Sequence, residues 1–361
     1  MNREKEKIEV GILGATGMVG QQFLARLAAH PWFRVTWLGA SERSAGQRYG
    51  DLPWRLTAPL LSEVADLRVD SISSPRAPQL LFSALDATVA GEVEEAFAKA
   101  GHIVVSNARN HRMDPLVPLL VPEINAEHLA LVPSQREAYG RRGFIITNPN
   151  CSTVFLALAL APLRQFGIER VIVSTLQALS GAGYPGVASL DALGNVIPHI
   201  AGEEEKLAAE AAKILGSMEQ DRVVPQSIRV SAQCTRVPVE HGHTELVSVG
   251  FRQPVALEDI RMAWKEFTGE PQRECLPSAP LRPLIYREEG NRPQPRCDVE
   301  HYAGMSVQIG RLRRCEALDA KFVLLGHNLI RGAAGAAILN AELLASRGWL
   351  ADREPELIAA G

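Results

Sequence analysis

The sequence has no C-x-x-C pair and no cysteine–histidine spacing suited to zinc. Its five cysteines, Cys151, Cys234, Cys275, Cys297 and Cys315, are odd in number and widely separated. That pattern argues against a disulfide framework and against a structural metal, so each cysteine defaults to a small buried side chain unless its neighbours say otherwise. Neither sign of charge dominates. Lys and Arg number 38 against 41 Asp and Glu, a net charge of −3 that leaves no basic excess for nucleic acid. A long apolar run is missing too: Thr153 to Leu163 is interrupted by Pro162 and is about half the ~20 residues a membrane-spanning helix needs. There is no internal repeat and no low-complexity segment. The charged start, MNREKEKIEV, runs directly into a strand pattern, unlike a secretory leader, and predicts a cytoplasmic protein. What remains is 361 residues with ordinary globular composition, which at roughly 150 residues per domain predicts two domains, each able to bury its own core.

The first part alternates strands and helices. Ile8 to Leu13 is a β-branched run that ends in glycines and passes into the helical pattern QQFLARLAAH. Strand-like runs follow at Phe33–Leu38, Leu80–Ser83 and His102–Val105, with a helical segment from Thr88 to Ala100. This alternation predicts a parallel sheet. After the strand in GFIITNPN, Cys151 opens an apolar segment of helical length. Beyond it, alternating runs at Arg170–Leu176, Ile228–Val239, Glu245–Phe251, Met305–Arg311 and Lys321–Leu325, with few helices between, predict a largely antiparallel sheet. Arg282 to Arg296, rich in proline and arginine, reads as a surface loop, and Asn328 to Ser346 as an amphipathic helix packing back on the first domain.

Three features carry chemistry. The glycines Gly11, Gly14, Gly17 and Gly20, between the first strand and its helix, allow backbone N–H groups to approach a pyrophosphate at the helix N-terminus. Where the second strand ends, the position at which an NAD site presents an acid to the ribose, the sequence has Ser41-Glu42-Arg43-Ser44; two hydroxyls and a guanidinium suit a 2′-phosphate and favour NADP, unless Glu42 turns inward. Cys151 stands between a strand and a helix N-terminus, behind the rigid Asn148-Pro149-Asn150, where a helix dipole favours a thiolate. On position alone, a nucleophile and a buried filler are equally good readings of it.

Asn148-Pro-Asn-Cys-Ser-Thr153 resembles the nucleophile segment of the aspartate-semialdehyde dehydrogenases, in the branch typical of archaea and fungi. Further segments match in order: Gly14 to Gly20, Ser41 to Gly46, Ser106-Asn107 with His111-Arg112-Met113, Gln177 to Gly183, Ile197-Pro198 with Gly202 to Lys206, Arg236 to His243, and His327-Asn328 with Arg331 to Gly335. The resemblance implies an α/β protein with a Rossmann-like NADP-binding domain over residues 1–150, joined by a C-terminal helix (327–361), and an α+β catalytic and dimerisation domain over 151–326. It implies Cys151 as the acylated nucleophile, His243 as acid/base and Gln177 as the residue orienting the reacting carbonyl. Arg236 matches the grip on the substrate carboxylate, Glu203 and Lys206 the amine and phosphate contacts, Arg112 a phosphate arginine and Asn150 a further substrate contact. NADP(H) would lie against Gly14, Thr16, Gly17, Met18, Val19, Ser41, Arg43, Ser44, Ser83, Ser180, Gly181 and Asn328. No metal, nucleic acid or membrane enters, and the partners are small-molecule substrates and further copies of the chain in a homodimer or homotetramer. A guanidinium for a carboxylate, a carboxylate for an ammonium and further cations for a phosphate are what an anionic amino-acid substrate requires. Alternatives stay open at three points. Glu203 and Lys206, three apart, also suit a solvated helical ion pair; Arg109 competes with Arg112; and His241 competes with His243, since a strand would put both on one face. The implied activity is NADPH-dependent conversion of L-aspartyl 4-phosphate to L-aspartate 4-semialdehyde in aspartate-family amino-acid biosynthesis. A malonyl-CoA reductase on a similar scaffold, or an NADP-binding sensor without turnover, is the alternative.

Overall fold

The computed structural model describes residues 6–72, 76–140 and 143–350. Six strands, β1 (Ile8–Leu13), β2 (Phe33–Ala40), β3 (Val69–Ser71), β4 (Leu80–Ser83), β5 (Ile103–Ser106) and β6 (Phe144–Thr147), form one sheet in the order 3-2-1-4-5-6. Every pairing in it is parallel. That order is the Rossmann one, with its crevice where strand order reverses, between β1 and β4. Parallel strands are buried on both faces, which is why these runs are continuously apolar. Ile12, Phe82, Val105 and Ile146 pack with Phe23 and Leu24 of α1 (Met18–Leu27). Their neighbours Leu13, Leu81, Val104 and Ile145 pack on the other face with Phe97 and Ala98 of α2 (Ala87–Ala100). The helix α2 starts at Asp86, whose carboxylate accepts from the Thr88 N–H, and stops at Gly101 in the left-handed conformation.

From β6 the chain enters α3 (Cys151–Leu160), buried at every position after the first. A second six-stranded sheet follows: β7 (Ile168–Gln177), then, after a small hairpin of β8 (Ser217–Glu219) and β9 (Arg222–Val224), β10 (Arg229–Arg236), β11 (His243–Phe251), β12 (Leu284–Arg287), β13 (Val307–Arg314) and β14 (Ala320–Gly326). Its order is 10-7-11-14-13-12, and three of its five pairings are antiparallel, with parallel pairs at both edges. One face, with Val171, Val173, Val247, Phe322 and Leu324, packs on Phe155 and Leu156 of α3, Leu207 and Ile214 of α4 (Glu203–Ile214) and Trp264 of α5 (Leu257–Glu266).

The few helices expected between the strands of the second sheet are chiefly α4 and α5. Three expectations change. The three-residue strand β3 is too short for a period of two to show in sequence. The Arg282–Arg296 stretch carries the edge strand β12, where Arg287 joins Arg292 on the buried Asp298 carboxylate. The C-terminal segment is not amphipathic: in α6 (Gly335–Ser346) every residue from Gly335 to Leu344 is buried, because α1 and β5 pack on one side and the 270–280 segment covers the other. Its polar residues are spent internally. Glu342 takes His30 Nε2 at 2.7 Å and the Ser278 N–H, and Asn340 Nδ2 donates to Asn148 Oδ1 at 2.7 Å. Residues 351–361 of the expected C-terminal packing segment lie outside the described residues.

Candidate active site

Cys151 is placed by a strand end and a helix cap. After β6, Asn150 is the N-cap of α3, its Oδ1 accepting from the N–H groups of Ser152 (3.0 Å) and Thr153 (3.3 Å). Its Nδ2 donates to Glu203 Oε1 at 2.7 Å, so in this state Asn150 shapes the turn and binds the acid of α4. Over Cys151 passes a π-turn, Ile330–Ala334, in which Gly332 lies so close that a Cβ there would stand 2.6 Å from the Cys151 Cβ. Burial pushes the Cys151 thiol up to about 12, with Glu203 adding to the rise and Arg112, Arg236 and the Ser152 N–H opposing it. The helix end does not by itself hold the thiol down. The helix N–H groups are engaged by Asn150, and desolvation outweighs both guanidiniums.

Three neighbouring strands of the second sheet end beside this turn. Gln177 closes β7, Arg236 closes the adjacent β10 directly opposite it, and His243 opens β11 on the other side. All three are buried. Gln177 Nε2 donates to Glu203 Oε1 at 3.2 Å and to Thr175 Oγ1 at 3.3 Å. Arg236 gives Nη1 to the Ala178 carbonyl at 2.9 Å. The heads of Arg236 and His243 converge on Gly181, where a Cβ would meet Nη1 at 2.8 Å and Nε2 at 3.0 Å. Glu203, at the start of α4, pairs with Lys206 at 3.3 Å. This is a buried acid beside Cys151 and not the solvated pair that spacing alone allowed.

The choice between the two histidines follows from the backbone. Gly242, at φ +96°, turns the chain so that β11 begins only at His243. His241 stands outside the strand, half-buried, with Nδ1 on Ser180 Oγ at 2.9 Å. The His243 Nδ1 accepts the Ala178 N–H at 3.0 Å, which assigns the proton of the neutral ring to Nε2, a buried atom with no hydrogen-bond partner. Burial, together with Arg236 and His327, holds this histidine well below its ordinary value, so the ring is neutral near pH 7. It presents a donor to the cleft.

Arg112 is buried, giving Nη1 to Glu210 Oε1 at 3.0 Å and Nη2 to the Asn107 carbonyl at 2.7 Å, whereas Arg109 is exposed. Asn328 is also engaged, its Oδ1 accepting the Gly242 N–H at 2.9 Å and its Nδ2 donating to Ser180 Oγ at 2.8 Å. The residues missed in sequence are Glu210 and Lys213, which continue the 3–4 spacing of Glu203 and Lys206 along α4, and Gly332, a glycine inside a matched segment whose close approach no local pattern shows.

On the side of the first sheet, the residues present fit a dinucleotide. Gly14, at φ +77°, passes so near the Ala84 carbonyl that a Cβ would lie 2.6 Å from its oxygen. Gly17 caps α1 with no side-chain bond, which leaves the first-turn N–H groups of Met18 and Val19 for a phosphate, with Thr16 beside them. Ser41, Arg43 and Ser44 form the turn that follows β2, closed by Ser44 N–H to the Ser41 carbonyl at 2.9 Å, and Arg43 is exposed. Glu42 is tied to Ser71 Oγ at 2.6 Å, at the end of β3. Ser83 ends β4 at the crevice. Across the groove, Arg55 lies over the Tyr184 ring, 4.0 Å from its centroid, joining the two halves. Among the described residues no cluster of His, Cys, Asp and Glu is arranged to hold a metal ion, and no helix is long and apolar enough to cross a membrane.

Comparisons with known proteins agree with this architecture. Residues 9–132 match the semialdehyde dehydrogenase NAD binding domain, and residues 160–331 the semialdehyde dehydrogenase dimerisation domain. An aspartate-semialdehyde dehydrogenase of Archaeoglobus fulgidus is 47% identical over 344 residues, covering 94% of this chain and 98% of its own. One of Cryptococcus neoformans is 46% identical over 362 residues, covering 96% and 99%. The crystal structure of the Candida albicans aspartate-semialdehyde dehydrogenase with NADP superposes with a TM-score of 0.87 at 41% identity, covering 94% of this chain and 99% of that one. Together with a crevice between two sheets and a capped cysteine in it, these place the chain in a known group: it belongs to the aspartate-semialdehyde dehydrogenase family.

Proposed function

We propose that the protein converts L-aspartyl 4-phosphate to L-aspartate 4-semialdehyde with NADPH, releasing phosphate, in the cytoplasm, as a step of aspartate-family amino-acid biosynthesis. The observation that carries this reading is the convergence of Cys151 with Arg236, Glu203 and His243 at one strand-end cluster: a nucleophile, a carboxylate grip, an ammonium partner and a hydrogen-bond donor. Arg236 would hold the α-carboxylate, and Glu203 the α-ammonium. Pairing with that ammonium neutralises the one neighbouring acid that adds to the rise of the Cys151 thiol. The thiolate attacks the acyl carbon, the C–O bond to phosphate breaks, and Cys151 carries the acyl group as a thioester. Lys206 and Arg112 face the departing phosphate charge. NADPH, when bound on the Gly14–Val19 loop with its 2′-phosphate at Ser41, Arg43 and Ser44, supplies the hydride. Gln177 orients the carbonyl, and the His243 Nε2–H donates a hydrogen bond to the developing oxyanion while keeping its proton, which is the part of the expected acid/base role a neutral ring can play. Collapse of that oxyanion frees the aldehyde and returns the thiolate. Ser83, Ser180, Gly181 and Asn328 shape the nicotinamide end, Asn328 by exchanging one of its present bonds for the ligand.

The dimerisation-domain match supports self-association, and a homodimer or a tetramer of dimers is the form we propose. The open face of the second sheet, with Ile172 49% and Leu246 47% exposed, is the apolar surface available for a second copy. The decisive assay is phosphate-dependent NADP⁺ reduction with aspartate semialdehyde, run against malonate semialdehyde with CoA. Turnover only in the second arm would replace the amino-acid substrate, and none in either would leave a binding protein.

A further inference from the structure

Four side chains project from one face of α4 at spacings of three, four and three: Glu203, Lys206, Glu210 and Lys213. The first pair belongs to the site described above. The second pair lies two turns on, buried, and is assigned no contact of its own with substrate. Glu210 nevertheless reaches both sides of the reacting centre. Its Oε1 accepts Arg112 Nη1 at 3.0 Å, and its Oε2 accepts the backbone N–H of Asn150 at 2.6 Å, the residue before the nucleophile. Lys213 fixes the other end of the same loop, donating Nζ to the carbonyls of Arg112 (2.8 Å), Asp114 (2.7 Å) and Val117 (2.9 Å). The two loops also meet directly, through Asn148 Nδ2 on Asn107 Oδ1 at 2.8 Å. A carboxylate has an acceptor oxygen for each partner, and neither can move far without drawing on the other.

We propose that Glu210 is a positioning residue that ties the Arg112 guanidinium to the Asn150–Cys151 turn, so that an anion held by Arg112 alters the presentation of the Cys151 thiol. This rests on the assignment of Cys151 and Arg112 to the reaction above. An anion arriving at Arg112 competes for the guanidinium with Glu210. The carboxylate then leans on its second partner, the Asn150 N–H, and the first turn of α3 is held more firmly. Phosphate-site occupancy and nucleophile geometry become one equilibrium, linked in both directions.

The test uses Glu210→Gln, which keeps the size of the side chain but replaces one acceptor oxygen with an NH2 group that can only donate. Three quantities are read on the full chain: the KM for inorganic phosphate, kcat, and the rate of Cys151 alkylation by iodoacetamide at one fixed pH, with and without phosphate. In the wild-type protein phosphate should change that alkylation rate at least about threefold, and in Glu210→Gln the change should vanish while kcat falls about tenfold and the phosphate KM falls, because the carboxylate that competes for Arg112 is gone. Arg112→Lys keeps the positive charge but loses the fork, and should likewise uncouple phosphate from alkylation; it serves if Glu210→Gln does not fold. The proposal is overturned if phosphate leaves wild-type alkylation unchanged, or if the folded variants keep the wild-type response to phosphate. Absence of dehydrogenase turnover in the wild type would instead overturn the function, because the alkylation measurement does not depend on turnover.

Discussion

In the parallel-sheet half, what faces the cleft is mostly backbone. Gly14 and Gly17 bring the chain close and leave N–H groups unspent at the start of α1, and the neighbouring Ser41–Ser44 turn lies partly open to solvent. In the mixed-sheet half it is side chains, and buried ones: Gln177, Arg236, His243 and Glu203, each held by a partner from another element. A surface built from backbone tolerates loss of any one side chain around it. A site built from interlocked buried side chains does not, because removing one leaves the desolvation cost of the others unmet.

That contrast can be broken or sharpened by substitution. The largest effect is expected for Cys151→Ala, which should abolish phosphate-dependent NADP⁺ reduction while NADPH fluorescence titration stays near wild type, since the cofactor groove is made elsewhere. Loss of cofactor binding in that variant would mean the halves are not separable. Gly332→Ala should follow, because its Cβ would meet the Cys151 Cβ at 2.6 Å; overpacking of this kind displaces a nucleophile enough for roughly a hundredfold loss in kcat. Arg236→Leu removes a charged contact worth about 1.5–3 kcal/mol, giving roughly a tenfold to hundredfold fall in kcat/KM for aspartate semialdehyde. Unchanged kinetics there would turn Arg236 into a purely structural residue.

Acid should act on the first half through His128, whose buried ring is held down at about 4, chiefly by burial. A histidine depressed in the folded state takes up its proton first in the unfolded chain. The stability it contributes is present above pH 6.5 and is lost as pH falls from there toward 4. Urea titrations of wild type and His128→Asn across that window should diverge, the variant showing the shallower dependence by on the order of 1–2 kcal/mol. Parallel curves would place the titration elsewhere. The smallest effect belongs to Arg43→Ala. On an exposed turn it should raise the KM for NADPH by about tenfold or less, leave kcat nearly alone and be reduced by salt. A fall in kcat would contradict a backbone-built cofactor site.

Legibility from sequence divides along the same line. The strand–glycine–helix run at Ile8–Leu27 and the Asn150–Cys151 turn were readable because local chemistry decides them: a glycine at positive φ, an asparagine cap. Arg236, Glu203 and Gln177 were singled out by resemblance, and their interlocking was not, since it depends on strand ends meeting through bonds that span 58 and 65 residues of chain. The misreading of α6 has the same origin. Asn340 and Glu342 look like a solvent face, and only the tertiary structure supplies the Asn148, His30 and Ser278 groups they satisfy. Glu210 was missed, although it continues the spacing of Glu203 and Lys206 on α4, because its two acceptor roles belong to loops about 60 and 98 residues away.

Helix α3 sets a mechanical condition on the enzyme. Every residue of it beyond Cys151 is packed, from Ser152 to Leu160, so the Cys151 sulfur is carried on a fully buried helix. A groove whose one wall is anchored this way has its freedom on the other: the Tyr184 side meets it through an open contact, the Arg55 guanidinium over a tyrosine that is 66% exposed.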